Sequence, residues 1–425
     1  MSGVRQPAAA GRVALRYPNF RLFQMARLFV VVGLEMQSVA VGWHVYELTR
    51  EPLALGFVGL AQFLPGMILF LVSGHAADRI NRRKLLVFCY AAFAACSGLL
   101  LWATQYRGES VRTIYIILVL IGIVRSFSGP ASRAILPLLV LEEHFPNAVA
   151  WTATAYQAGT LLGPALGGLV YALFLGPSAV YAAAAITAVV GSALTLRMMT
   201  RPQAAFEEEI GSQTVFAGLR YIFRQKLILG SISLDLFAVL FGGAVALLPV
   251  YAREILHTGP WGLGLLRSAP AVGALAMAVL LAYRPLRGRV GMTLLWCVAG
   301  FGVFTILFGI SHSLVFSLVA LLMVGACDMV SIIIRNTLVQ MATPDQMRGR
   351  VTAVEMIFIG ASNELGEFES GVTAHWFGTV PAVILGGIGS LLVTGLWAYA
   401  FPDLRRADRF TKTPEQSAVG GSRES

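Results

Sequence analysis

Charge is scarce in this chain: Asp, Glu, Lys and Arg together make up 13% of its 425 residues. With 57% of residues hydrophobic and a mean hydropathy of +0.73, that scarcity excludes a soluble globular protein. Cysteine is nearly absent as well. Cys89, Cys96, Cys297 and Cys327 all fall inside apolar runs, where a thiol is a small buried hydrophobe, and no metal or redox spacing links them. His44, His75, His144, His257, His312 and His375 show no H-E-x-x-H or related spacing, so neither a metal nor a cofactor is expected. The absence of a G-x-x-x-x-G-K-[ST] loop removes direct ATP drive, and no G-x-S-x-G elbow accompanies a soluble catalytic domain. An enzyme is not expected.

Long apolar runs are what the chain has in abundance. A spanning helix needs about 20 mostly apolar residues, and about twelve such runs follow one another between Arg21 and Phe401. They predict an all-α, multi-pass membrane protein. The formal net charge of +10 does not point to nucleic acid, because most of the Lys and Arg sit at alternate helix ends. Arg79, Arg82, Arg83 and Lys84 follow the second run, and Arg284, Arg287 and Arg289 the eighth. This bias places both termini in the cytoplasm. The first run follows an Arg-bearing tail, exceeds a signal-peptide core and lacks a small-residue cleavage site, so it reads as retained.

A break in the apolar pattern divides the chain. A cytoplasmic tail (1–20) precedes a first six-helix half (21–199), a cytoplasmic linker (200–226), a second six-helix half (227–401) and a polar, disordered tail (402–425). The halves echo each other. Val45-Tyr46 returns as Val250-Tyr251, Leu55-Gly56 as Leu263-Gly264, and Gly163 with Gly168 as Gly366 with Gly371. Parallel repeats of this kind are an architecture of secondary transporters. Within the linker, Glu207, Glu208 and Glu209 read as a solvated charge run. Val215, Phe216, Leu219, Ile222 and Phe223 share one face of a helix expected to lie in the cytoplasmic interface.

Two motifs carry a family resemblance. The stretch GHAADRINRRK (Gly74 to Lys84) joins the second and third spans, and a glycine at its start would permit close backbone approach. GTLLGPALGG (Gly159 to Gly168) lies in the fifth span, where glycines admit a neighbouring helix and Pro164 permits a bend. Gly74, Asp78, Arg79, Arg82 and Arg83 resemble the G-x-x-x-D-R-x-x-R-R signature of the major facilitator superfamily. Gly159, Gly163, Pro164, Gly167 and Gly168 resemble the signature of that superfamily's antiporters. Arg125 with Gly129 is similar to its R-x-x-x-G element, although Pro130 follows where a small residue is usual. The openings YPNFRLFQMARLF and TPDQMRGRVTAV resemble the branch that holds the bacterial siderophore exporters.

The resemblance implies a major facilitator fold of twelve helices in the bacterial inner membrane, working as a monomer in the lipid bilayer. It implies proton-driven efflux of a siderophore or drug-like amphiphile, since multidrug pumps share the branch. In that family the acidic residue of the first motif caps the eleventh helix, here near Gly349 and Arg350, and locks one conformation. Two other readings stay open: a lipid or lysolipid flippase on the same fold, and a non-transporting sensor or scaffold.

Ionised side chains cost at least ~2.5–3.5 kcal/mol at mid-membrane, so they mark cavities, pairs or proton sites. At ~1.5 Å per residue, Arg125, Asp235 and Asp328 lie at similar depth, and Glu35 and Glu364 lie deeper. With Glu367, these six are the expected proton-coupling groups. Glu364 and Glu367 are three residues apart and share a helix face, where crowding would leave one with an exchangeable proton. Protonated glutamates hydrogen-bonding between helices explain the same residues as structural glue. Glu369 points away and is assigned to packing or to a polar partner. Because acids outnumber bases within the spans, the cavity is expected to favour protons or cations, with Arg125 left to meet any acidic substrate group. Trp43, Tyr156, Gln157, Phe237 and Phe241 are the expected substrate contacts.

Overall fold

The computed structural model describes residues 13–106, 110–200, 212–284 and 288–407. Glu207 to Glu209 and most of both tails lie outside the described residues, as do the side chains of Asp78, His75, Val215 and Phe216. Among the described residues every regular element is helical. Prolines open several of them, since a missing N–H costs nothing in a first turn: α1 is Pro18–Thr49, α2 Pro52–Ile68 and, after α3 (Phe70–Arg79), α4 (Arg82–Tyr106), α5 (Val111–Ala134) and α6 (Phe145–Leu173), α7 is Pro177–Arg197. α8 (Ser212–Arg224) and α9 (Lys226–Phe241) follow. Then come α10 (Gly259–Tyr283), α11 (Val290–Gly309), α12 (Leu314–Ala342), α13 (Asp345–Phe377) and α14 (Thr379–Ala400).

Nine helical stretches among the described residues are long and apolar enough to cross a membrane. The remaining expected spans are helical but compromised. The second is split at Leu69 into α2 and α3, next to the Pro65-Gly66 pair, because proline removes a ladder bond and crowds the preceding turn. α6 is diluted by Gly, Thr and Gln, and α13 by its acids. α9 also stops at Gly242-Gly243, and tighter and looser turns carry the chain on to Ile255.

The helices form two compact units. The first holds α1, α3 to α7, α2 from Ala61 onward and α10 as far as Ser268; the second holds α8, α9, α11 to α14, α10 from Ala269 onward and the start of α2, Glu51–Leu60. In the first, α1 packs on α6 and α7, and α4 on α5 and α7; in the second, α11 packs on α12 and α14, and α9 on α13 and α14. Glycines set these approaches. A methyl group placed on Gly167 of α6 would sit 2.7 Å from the Met36 Cα of α1, and one on Gly366 of α13 would sit 2.8 Å from the Leu240 carbonyl of α9. Repeat-related glycines also meet in equivalent pairs: a methyl on Gly168 would lie 2.8 Å from the Gly264 Cα, and one on Gly371 2.9 Å from the Gly56 Cα. Small residues let helices close to van der Waals contact where lipid offers no hydrophobic drive.

Gly74 departs from that pattern, because a methyl there meets no atom within 4 Å among the described residues. The arginines that open α4 act on helix ends instead. Arg82 donates from Nη1 to the Ala134 carbonyl (2.9 Å), and Arg83 donates to the carbonyls of Thr195 (3.3 Å) and Leu196. Cations there satisfy the last carbonyls of α5 and α7 and suit their dipoles. α8 is seated on its own unit: Ile222 is buried with Ile228, Val339, Val351 and Val354, and Tyr221 donates to the Ala342 carbonyl (3.2 Å), while Phe223 stays exposed.

Candidate functional site

Each unit encloses a charged cavity. In the first, α1 contributes Arg27, Val30, Val31, Leu34 and Glu35, and α5 contributes Arg125, Ser128, Gly129, Ser132 and Arg133. Both sets follow the spacing i, i+3, i+4, i+7, i+8, which gathers them on one helix face. Tyr90 and Phe93 of α4 and Tyr156 of α6 complete a space of about 540 Å³. Three arginines face one glutamate there. The Arg27 guanidinium lies 5.6 Å from the centre of the Tyr156 ring, within cation–π range.

The second cavity, of about 320 Å³, has the opposite balance. Asp235 and the Gly242-Gly243 break of α9, Asp328 and Arg335 of α12, and Asn363 and Glu367 of α13 line it, with Phe301 and Phe308 of α11. Arg335 is almost fully buried and ion-pairs with Asp235 of α9 and Glu355 of α13, the latter at 3.2 Å from Nε to Oε1. One guanidinium therefore ties three helices together. Burying these charges is tolerable only because each meets an opposite one.

The structure distributes the expected residues unevenly. Glu35, Arg125 and Tyr156 line the first cavity, and Asp235, Asp328 and Glu367 the second. Glu364 and Glu367 converge on Gly59 of α2, where a methyl group would lie 3.2 Å from Glu364 Oε2 and 2.8 Å from Glu367 Oε2. Glu369 stands apart and accepts a hydrogen bond from Thr373 Oγ1 at 2.7 Å. The excess of acid over base in the spans is not spread evenly: basic groups dominate the first cavity.

The expected aromatic contacts fare differently. Trp43 is buried edge-on against Tyr171, with 6.4 Å between ring centres. Phe237 leans on Trp397 at 5.3 Å, Phe241 packs against the α11–α12–α14 core, and Gln157 is half-buried on α6. None of these four lines either cavity.

Of the glycine motif in α6, Gly159, Gly163 and Gly167 press on α1, Gly168 on the start of α10, and Pro164 presents its carbonyl to Gly264. Sequence reasoning missed Arg335, Glu355, Arg27 and Arg133. A usable signal existed in the seven-residue spacing of Asp328 and Arg335, which stacks them on one face, and in the eight-residue spacing of Arg125 and Arg133.

The comparisons agree with this architecture. The enterobactin exporter EntS of Escherichia coli O6:K15:H31 (strain 536) is 26% identical over 413 residues, 96% of each chain. That of Shigella boydii serotype 4 (strain Sb227) matches equally well, 26% over 413 residues and 96% of each chain. Among solved structures, a D-xylose–proton symporter superposes with a TM-score of 0.71 at 15% identity, covering 93% of this chain and all of that one. A bacterial homologue of the human lysosomal transporter Spinster, inward-facing and occupied, gives 0.71 at 13%, covering 92% and 98%. These neighbours show the major facilitator fold. The family model described as transmembrane secretion effector matches residues 10–418, nearly the whole chain that builds the two glycine-seamed units, and the protein belongs to that family of major facilitator transporters.

Proposed function

We propose that this transporter is a proton-coupled antiporter that exports an acidic, aromatic amphiphile of the siderophore kind across the bacterial inner membrane by alternating access. Both termini face the cytoplasm, and the monomer is the working unit. The observation that carries the substrate reading is the first cavity, with Arg27, Arg125 and Arg133 around Tyr90, Tyr156 and Phe93. Guanidinium groups match carboxylate or catecholate oxygens in pairs and stack on aromatic faces, so this lining suits a planar anion better than a cation. Relatives that bear the name of enterobactin exporters support the same class.

For coupling, Glu364 and Glu367 over Gly59 are the proton carriers of this reading, with Glu35, Asp235 and Asp328 as further acids in the cavities. Two carboxylates brought onto one glycine repel each other unless a proton is shared. Asp78 near the end of α3 is the proposed conformational lock, and Gly74, Arg79, Arg82 and Arg83 are its setting.

The test is uptake of a catecholate siderophore into inside-out proteoliposomes with an imposed pH gradient. Wild type is expected to concentrate the compound and to release protons as it does so. Arg125→Ala should lose substrate affinity, and the double Glu364→Gln, Glu367→Gln variant should bind but lose the response to the gradient. Flux indifferent to pH in wild type would overturn the antiporter reading.

A further inference from the structure

Asp235 and Glu355 share one guanidinium, and Asp328 lines the same cavity. Arg335 is engaged by Asp235 and Glu355, and Asp328 makes no hydrogen bond or close ion pair of its own among the described residues. Behind the second cavity a small void of about 10 Å³ lies among Asp235, Asp328 and Ser331, with Phe301, Cys297 and Cys327 in its walls. Ser331 is 3% exposed and lines this void, and its Oγ has no hydrogen-bond partner. Asp328, Ser331 and Arg335 follow one another at i, i+3 and i+7 on a single face of α12. Two carboxylates and an unsatisfied hydroxyl oxygen thus surround a space for one small body.

We infer that this void binds one monovalent metal cation, Na⁺ in preference to K⁺, through the carboxylates of Asp235 and Asp328 and the hydroxyl oxygen of Ser331. Charge balance asks for a cation, because three carboxylates, of which Asp235 and Glu355 are buried and Asp328 half-buried, lie around one arginine, and a charge held from water without a partner is costly. The donors are hard oxygens, which select hard cations, and the thiols in the wall are soft and do not compete for them. Two carboxylates and one hydroxyl fall short of the roughly six to eight oxygens that a divalent ion such as Ca²⁺ takes. Field strength decides the rest. About 10 Å³ leaves room for one small ion rather than an organic ammonium, and carboxylate oxygens hold the smaller Na⁺ more strongly than K⁺ because its charge approaches them more closely. Arg335 pre-positions the site by holding Asp235, so that cation binding needs little rearrangement.

The experiment is cation binding by the full-length protein in lipid nanodiscs, without any transported substrate, so its outcome is independent of the siderophore reading. Retention of radioactive Na⁺ and thermal melting are measured in NaCl, KCl and choline chloride at equal ionic strength. Wild type is expected to retain one Na⁺ per chain, saturably, and to melt higher in NaCl than in either other salt. Asp328→Asn should abolish retention, and Ser331→Ala should weaken affinity about ten-fold, a change of ~1.4 kcal/mol. If Asp328→Asn does not fold, Ser331→Ala, which removes a single oxygen, decides alone. Melting that is the same in all three salts with no Na⁺ retained would overturn the site and leave water in the void. Retention undiminished in Asp328→Asn or Ser331→Ala, or equal retention of K⁺, would overturn it equally.

Discussion

The two units repeat a backbone and invert a charge. Gly168 meets Gly264 in the first as Gly371 meets Gly56 in the second, and the glycine-bearing faces of α6 and α13 press on α1 and α9 in the same manner. Yet the first cavity presents Arg27, Arg125 and Arg133 against Glu35, whereas the second presents Asp235, Asp328 and Glu367 against Arg335. Close helix approach constrains the glycines wherever they sit, because any larger residue meets backbone. Cavity walls carry no such constraint, and each half is free to hold its own chemistry. The repeat therefore preserves packing and lets function diverge.

The sharpest break of this comparison is removal of one arginine from each half. Arg335→Ala strands Asp235 and Glu355 in a buried setting, and loss of one partner of a buried ion pair costs ~3–5 kcal/mol. We expect a large fall in melting temperature in detergent, largely recovered when Asp235→Asn and Glu355→Gln are added. Arg125 is exposed in the first cavity, and Arg125→Ala should cost clearly less stability than Arg335→Ala while lowering substrate affinity. Equal destabilisation by both substitutions would mean that the halves use arginine alike.

The glycine pairs come next. Gly371→Val and Gly168→Val each push a branched side chain onto a neighbouring backbone, and overpacking of this kind costs ~1–3 kcal/mol. Because the pairs are repeat-related and equally close, the two costs should match within ~0.5 kcal/mol, read from denaturation midpoints in the same micelle. Gly74→Val, with open space around it, is the control that should cost little through contact. A large difference between the first two would separate the halves in packing as well as in charge.

Much of this is legible in the sequence alone. Apolar runs and alternating basic ends give the helical membrane class, and the echo of Gly56 in Gly264 and of Gly168 in Gly371 marked the very positions that now pair. Glu364 and Glu367 were placed together by their spacing, since three residues return to the same helix face. What stayed hidden depends on which faces turn toward each other. Phe237 and Phe241 sit one turn apart on an apolar helix, and nothing in α9 alone says that both point to α14 or the core rather than to a cavity. Arg335 and Glu355 lie twenty residues apart across the Thr343-Pro344 turn, and only the packing of α12 on α9 and α13 makes them partners. Interruptions were half visible: Pro65-Gly66 and Gly242-Gly243 are written in the chain, but a long apolar run masks a break when it is read by hydropathy alone.

The smallest expected effect separates the two arginine environments most finely. Arg27 stands over the Tyr156 ring at 5.6 Å, and Arg335 stands between carboxylates at the heart of its unit. A cation–π contact in a wet cavity contributes ~0.5–1 kcal/mol, whereas charge-assisted contacts in a dry setting are several times stronger. A double-mutant cycle with Arg27→Met and Tyr156→Leu, read as unfolding free energy without substrate, should therefore give a coupling within that range. The parallel cycle with Arg335→Met and Glu355→Gln should exceed it at least two-fold. Raising salt should leave both nearly unchanged, since screening within a cavity wall or a buried pair is weak compared with an exposed surface. If the first coupling reached the size of the second, the cavity around Arg27 would have to be dry, and the contrast between the two arginines would fail.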